Sequence, residues 1–161
     1  ISIKLTTTDG TDAVTLSGAT VKLTPVYNTG TVKMGNGLIT PGGSTTINGT
    51  VSQVGSTNTY QWRYGFVPQS LASVVLTITT TDNNQYIINM EDMVAAVNST
   101  IIANPYTETS SGSDKYTINY WYPNFNYTYN FKLKKTGIEA VTATLTEWGA
   151  IVADEETVVI Q

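Results

Sequence analysis

The sequence contains no cysteine and no histidine. The absence of cysteine excludes disulfide bonds and thiolate metal ligands. The absence of histidine removes the commonest general base and zinc ligand. The sequence therefore favours a protein that is not an enzyme and that holds no cofactor and no metal ion.

Charged residues are also scarce, at 12% of the chain, with 8 basic and 12 acidic residues and a net charge of -4. No basic patch offers a surface that would follow a phosphate backbone, so we expect no nucleic-acid partner. No apolar run approaches the roughly 20 residues that a membrane-spanning helix requires. The sequence begins at Ile1 within an alternating pattern and shows no signal peptide, as expected of a trimmed chain or of an exported and processed one.

The chain is rich instead in threonine, tyrosine, valine, asparagine and glycine, which favour pleated strands and turns. The clearest pattern lies between Lys115 and Trp148. Tyr127, Tyr129, Phe131 and Leu133 alternate there with polar residues, which predicts a strand with one buried face. A short turn at 135–137 then leads into a second strand, so this segment is predicted to be a hairpin that organises a sheet.

Other stretches show the same alternation, and only Met90–Val97 could hold a helical turn. The strand patterns outside the hairpin are clearest at Ile1–Thr6, Ala19–Tyr27, Val74–Thr80, Gln85–Met90 and Thr157–Gln161. About ten short strands with frequent turn signals predict an all-β fold, an antiparallel β-sandwich. We find no repeat and no linker, so residues 1–161 are predicted to form a single domain.

Two motifs carry a resemblance to a known family. Phe66-Val67-Pro68-Gln69 precedes a strand, an Asp-Asn turn and a returning strand that contains Tyr86. Further on, a Tyr-x-Tyr strand runs into Lys134-Lys135-Thr136-Gly137-Ile138 and closes at Trp148. In this order and spacing, over roughly residues 16–148, the chain resembles the fimbrillin-like, type V pilin-related proteins of Bacteroidales.

The resemblance implies a Greek-key, transthyretin-like β-sandwich from a surface fimbria. It also implies a structural or accessory subunit at the cell surface, in a fimbrium or at the outer membrane. Such subunits mediate cell adhesion and join other fimbrial subunits by strand exchange. Members of the family are typically two-domain lipoproteins, and this chain resembles the C-terminal domain alone, without the lipobox cysteine. The resemblance therefore leaves membrane anchoring unaddressed.

The C-terminal tail is the first candidate site, because an exposed apolar strand can complete another subunit's sheet. In this tail, Val158 and Ile160 would face one way and Val159 the other. The tail consists of Thr157, Val158, Val159, Ile160 and Gln161. The alternative is that the tail forms this domain's own last strand.

The first strand is the second candidate. Ile1, Ile3 and Leu5 point to one face, and removing this strand would open an acceptor groove for a strand from another subunit. The alternative is that it remains a permanent strand of its own domain, as first strands normally do.

Aromatic residues form the third candidate, as a contact for host or bacterial surface glycans or proteins. Three adjacent aromatic residues on one strand cannot all point inward, so at least one should be exposed. The candidates are Tyr120, Trp121 and Tyr122, with Tyr60, Trp62 and Tyr64 as a second group. The alternative is that these rings pack in the core. A carbohydrate-binding surface adhesin module is therefore the alternative function.

The carboxylates show no arrangement typical of chemistry. We find no facing pair of the kind a glycoside hydrolase needs, and Asp9-x-x-Asp12 is only a fragment of a calcium loop. We interpret Asp82, Glu91, Asp92 and the acidic run at 154–156 as solvated turn residues.

Overall fold

A computed structural model describes residues 1–96, 115–117, 119–123 and 125–147, with the backbone alone at 94–96, 115–117 and 147. These residues contain strands and two short 3-10 turns, Gly10–Asp12 and Met90–Asp92, but no α-helix. The strands are β1 (Ser2–Thr7), β2 (Thr20–Val26), β3 (Gly30–Lys33), β4 (Leu38–Pro41), β5 (Thr45–Thr50), β6 (Ser52–Gln53), β7 (Tyr60–Arg63), β8 (Gln69–Ser70), β9 (Val75–Thr79), β10 (Gln85–Asn89), β11 (Val94–Ala96), β12 (Lys115–Thr117), β13 (Tyr120–Trp121), β14 (Phe125–Lys134) and β15 (Gly137–Glu147). The predicted all-β class is confirmed.

Two larger sheets supply most of the structure. One is seven-stranded, in the order β12-β11-β15-β14-β1-β7-β6, and the other is four-stranded, in the order β10-β9-β2-β5. Two small sheets, β13-β8 and β3-β4, complete the described strands. The two larger sheets share one apolar core, so the chain adopts a sandwich arrangement.

The long hairpin predicted around residues 125–147 is confirmed. β14 pairs antiparallel with β15 from Phe125↔Glu147 to Lys134↔Gly137. Gly137 at the turn has φ 147°, a conformation that favours glycine. The second predicted hairpin, β9–β10, is also present, and Asn83 in its turn takes φ 62°. Both predictions held because alternation and turn chemistry are local signals.

The prediction of antiparallel pairing was wrong at two places. β1 lies parallel to β14, with Ile3 beside Tyr129 and Leu5 beside Phe131, and β11 lies parallel to β15. β1 pairs antiparallel only with β7 on its other side. Alternation indicates which face of a strand is buried but not which strand lies beside it, and the paired residues of β1 and β14 are more than 120 positions apart in the sequence.

The prediction of a helical turn over Met90–Val97 is correct only at its start. A single 3-10 turn, Met90–Asp92, places Met90 and Met93 in the core. β11 then begins at Val94, because its backbone pairs with β12 on one side and β15 on the other. Sheet pairing here replaces the weak helical tendency of the segment.

The core is formed by the inward faces of both larger sheets. Side chains with no exposed surface include Ile3, Leu5, Val21, Leu23, Leu76, Ile78, Tyr129, Phe131 and Leu133. At one point the sheets approach so closely that Gly49 of β5 lies directly against the indole of Trp62 on β7. A side chain at position 49 would overlap this ring.

We therefore expect Gly49→Ala to lower the free energy of unfolding by roughly 1–3 kcal/mol, because overpacking forces the Trp62 ring or the backbone to move. The measurement is denaturant unfolding followed by tryptophan fluorescence. Gly43→Ala is the matched control, since a methyl group there meets no atom within 4 Å. Equal stability of the two variants would contradict the close packing of Gly49 on Trp62.

Candidate functional site

A concave surface lies on the seven-stranded sheet where β14, β1 and β7 run side by side, and we call it the aromatic groove. It has a volume of about 600 Å³. Its lining residues are Ile1, Ser2, Lys4, Ile39, Gln61, Arg63, Tyr64, Gly65, Phe66, Pro68, Trp121, Tyr122, Pro123, Phe125, Asn126, Tyr127, Thr128 and Thr146.

The floor of the aromatic groove is polar, because it consists of the outward-facing side chains of β1, β7 and β14. Strand pairing brings Ser2 opposite both Arg63 and Thr128. The amide of Gln61 donates a hydrogen bond to the hydroxyl oxygen of Ser2. The inward-facing residues of the same strands form the core, so the floor is held rigidly by the sheet.

The wall of the aromatic groove contains Tyr64, Phe66 and Trp121, whose rings form a contiguous series with that of Trp62 behind the wall. The rings of Trp62 and Tyr64 stack with centroids 5.6 Å apart. Tyr64 in turn lies 4.9 Å from Phe66, and Phe66 stacks on Trp121 at 5.0 Å. Trp62 and Trp121 are buried, whereas Tyr64 is 36% exposed and Phe66 is half-buried. The buried tryptophans thus fix the orientation of rings that solvent can reach.

Two hydrogen bonds tie this wall to β14. The indole Nε1 of Trp121 donates to the hydroxyl of Tyr129 at 2.8 Å, and the backbone N–H of Tyr122 donates to the hydroxyl of Tyr127 at 2.6 Å. Burial raises the pKa of both tyrosines well above the ordinary range, and the hydrogen bonds they accept oppose this only in part. Both phenols therefore remain neutral and act as acceptors.

The aromatic groove also carries positive charge. Lys4 and Arg63 lie among its lining residues, and no aspartate or glutamate is among those that the structure describes. Within the described residues neither side chain forms an ion pair, the one such pair there being Lys132 with Glu139 at 3.2 Å. Sequence reasoning missed both cations, because an outward-facing charge on a strand is typical of any solvated surface.

The structure brings the two predicted groups of aromatic residues together. β13 pairs with β8, which places Trp121 beside Phe66 and hence beside the aromatic residues of β7. Of the adjacent aromatic residues, Trp121 is only 2% exposed, while Tyr120 and Tyr122 are half-buried with ring centroids 4.6 Å apart. A glycan or protein contact at this group stays a prediction, and Tyr122 is its best-placed member.

The predicted acceptor-groove strand, β1, is an interior strand of the seven-stranded sheet. Ile3 and Leu5 have no exposed surface, and Ile1 is partly buried against the same core. β1 separates β14 from β7, so its loss would leave two strand edges facing each other. The removability of β1 stays a prediction. The candidate tail, Thr157–Gln161, lies outside the described residues.

The described carboxylates at 9, 12, 82, 91 and 92 are all exposed. Asp82 accepts hydrogen bonds from the hydroxyl of Thr80 and from the backbone N–H of Thr15. The hydrogen bond from Thr80 is the main cause that lowers the pKa of Asp82. This carboxylate therefore fastens the β9–β10 turn to the segment between β1 and β2 that contains Thr15.

Neither a metal centre nor a membrane span is evident in the part of the chain that the structure describes. No group of three or more aspartates and glutamates there is arranged to hold a metal ion. The same residues include no helix of sufficient length and apolar character to cross a bilayer.

Comparisons with known proteins agree with this architecture. The sequence profile of the fimbrillin-like family matches residues 1–148, so the chain belongs to that family. Among solved structures, the chain is similar to a putative cell adhesion protein from Bacteroides uniformis ATCC 8492, with a TM-score of 0.54 and 18% identity. The match covers 91% of this chain and 50% of that chain, so this chain spans about half its length. At this identity the likeness shows the fold alone. A search of curated proteins found no match.

The raised pKa values of the buried tyrosines make stability depend on alkaline pH. Such a phenol has a higher pKa in the folded state than in the unfolded state, where the pKa is about 10. Its contribution to stability is complete below about pH 10. Above pH 10 the contribution is lost progressively, because the unfolded state releases its proton first. We expect the free energy of unfolding to fall above pH 10 by about 1.4 kcal/mol per pH unit for each such tyrosine. Tyr129→Phe should reduce this slope by the contribution of one tyrosine.

Tyr129→Phe also leaves the indole N–H of Trp121 without an acceptor, so we expect a loss of about 1–3 kcal/mol at pH 7. Urea unfolding between pH 7 and 11.5 measures both effects. Ile78→Val is the control, because it removes a buried methyl group and no titrating group, and its slope should match the parent's. An unchanged slope in Tyr129→Phe would contradict the burial of a neutral phenol.

Proposed function

We propose that this chain is a structural or accessory subunit of a bacterial surface fimbria that joins other fimbrial subunits and mediates cell adhesion. Membership of the fimbrillin-like family over residues 1–148 is the observation that carries this proposal. The similar structure from Bacteroides uniformis is described as a putative cell adhesion protein, which supports the adhesive part. In this proposal the chain acts at the cell surface, in a fimbrium or at the outer membrane, without catalysis and without a cofactor.

The finer description of the fold belongs to the same proposal. A Greek-key, transthyretin-like sandwich is compatible with two larger sheets that share a core. The chain corresponds in this proposal to the C-terminal domain of a longer two-domain protein. Its match to half of the Bacteroides uniformis chain supports such an arrangement.

Assembly proceeds by strand exchange in this proposal, with β1 as the strand that is replaced. Departure of β1 would divide the sheet, because β1 pairs with β14 on one side and with β7 on the other. The groove left behind would have two rows of backbone donors and acceptors and two emptied apolar positions, those of Ile3 and Leu5. Such a groove binds an extended chain through main-chain hydrogen bonds and alternate side chains.

The tail of a neighbouring subunit has the pattern that this groove requires. Val158 and Ile160 are two residues apart, as Ile3 and Leu5 are, and Val159 lies between them where β1 has Lys4. A strand with this spacing presents two apolar side chains to the core and one outward. In this proposal the tail Thr157–Gln161 is therefore the donor strand.

The test is to release β1 and follow assembly. A protease site inserted between Asp9 and Gly10, both exposed, allows β1 to be cut from the folded chain. After cutting, we expect heat-labile multimers in an unboiled SDS gel and by size-exclusion chromatography with light scattering. The uncut chain should stay monomeric, and so should a cut chain that lacks residues 157–161.

Two single variants distinguish strand insertion from nonspecific aggregation. Val158→Asp should abolish multimers, because a charge would enter an apolar position of the core. Val159→Asp is the matched control and should leave them intact, since this side chain would face outward in the inserted strand. Multimers that persist without the tail, or that never form after cutting, would contradict strand exchange.

The second candidate function is a carbohydrate-binding surface adhesin module. The aromatic groove favours it, because Tyr64, Phe66 and Tyr122 line it together with a floor of hydroxyl and amide groups. Ligand sites in proteins commonly combine aromatic walls with a few fixed polar groups. This function is compatible with the first, since an adhesive subunit can both assemble and bind a glycan.

A further inference from the structure

We propose that the aromatic groove is a binding site for a saccharide that carries a carboxylate, with Arg63 as the residue that selects the charge. This inference rests on the carbohydrate-binding function and concerns the free subunit, in which β1 is in place. It deepens that function by naming the chemical class of the ligand and the residues that recognise it.

The first argument is charge. The protein as a whole has a net charge of -4, yet the described lining of the aromatic groove contains two cations and no carboxylate. Arg63 is exposed at the end of β7 and forms no ion pair within the described residues. A guanidinium offers a planar pair of N–H donors that matches the two oxygens of a carboxylate. A local cationic site on an acidic surface therefore favours an anionic ligand.

The second argument is the position of the rings relative to that charge. Tyr64 directly follows Arg63 in the sequence; the residue is 36% exposed, and its ring stacks on buried Trp62. Tyr122 lines the same groove, with its backbone N–H bonded to Tyr127. Rigid, partly exposed rings offer the apolar face of a pyranose a flat surface at low entropic cost.

The third argument is the uncharged polar floor. Hydroxyl groups of Ser2, Thr128 and Thr146 and amides of Gln61 and Asn126 line the aromatic groove. These groups both donate and accept hydrogen bonds, as sugar hydroxyls do. An acidic peptide would use the same cations, but it would not require hydroxyl and amide partners along the floor. The floor therefore favours a saccharide over an acidic peptide.

Binding is measured by isothermal titration calorimetry and by NMR chemical-shift mapping with two matched pairs of probes. These are 3′-sialyllactose against lactose, and trigalacturonate against galactotriose. We expect at least one acidic probe to bind at least about tenfold more tightly than its neutral counterpart. A bidentate contact between Arg63 and the carboxylate accounts for a ratio of this size. The acidic probe should also bind more weakly as salt is raised, because exposed charges are screened.

Arg63→Gln should lower affinity for the acidic probe about tenfold and leave the neutral probe unchanged. Tyr122→Ala should weaken both probes alike, since it removes a ring face and no charge. Lys22→Gln is the matched control, because it removes an exposed cation from the outer face of the four-stranded sheet, and it should alter neither. Thermal unfolding checks that each variant is folded.

The possible failures are distinguishable. If acidic and neutral probes bind equally and Arg63→Gln changes neither affinity, selection of a carboxylate by Arg63 is overturned. Carbohydrate binding itself would still stand. No binding of any saccharide at millimolar concentration would overturn both. Binding of a hexaglutamate peptide in the aromatic groove as tightly as the acidic saccharide would overturn the assignment to a saccharide. None of these results bears on strand exchange, which multimer formation tests separately.

Discussion

The structure depends on the position of β1 between β14 and β7. This short strand joins the beginning of the chain to a hairpin more than 120 residues later, and both of its inward side chains are fully buried. Without β1, the two halves of the seven-stranded sheet would lose the backbone hydrogen bonds that connect them through it. Its pairing on both edges, one parallel and one antiparallel, makes β1 central to the fold and gives its removal a large structural consequence.

The same strand couples the fold to the candidate site. The inward face of β1 contributes to the core, while its outward face supplies Ser2 and Lys4 to the floor of the aromatic groove. Because strand exchange would replace this outward face, the groove of an assembled subunit would differ from that of a free one. In our proposal a tail residue, Val159, would then lie where Lys4 lies, which would reduce the positive charge of the groove. Assembly and ligand binding would thereby be linked.

Local patterns in the sequence predicted much of the fold. The alternation of Tyr127, Tyr129, Phe131 and Leu133 and the glycine at 137 were sufficient to predict the β14–β15 hairpin. Parallel pairing of β1 was not predictable in this way, because no local signal specifies a partner so distant in the sequence. Likewise, the spacing of Tyr120, Trp121 and Tyr122 indicated that not all three rings are buried, but not which one is. Trp121 is buried because Phe66, which is distant in the sequence, stacks on it and the hydroxyl of Tyr129 accepts its indole hydrogen bond.

The central claim, that a tail from one subunit takes the place of β1 in the next, is tested most directly by disulfide trapping. The chain has no cysteine, so cysteines introduced at Val159 and at Thr128 or Asn130, the outward-facing positions of β14 beside β1, have no competing partner. We predict that, after release of β1, mild oxidation joins position 159 of one chain to β14 of another and gives a ladder in a non-reducing gel. Disulfides formed only within single chains, or multimers that form without this cross-link, would contradict the account.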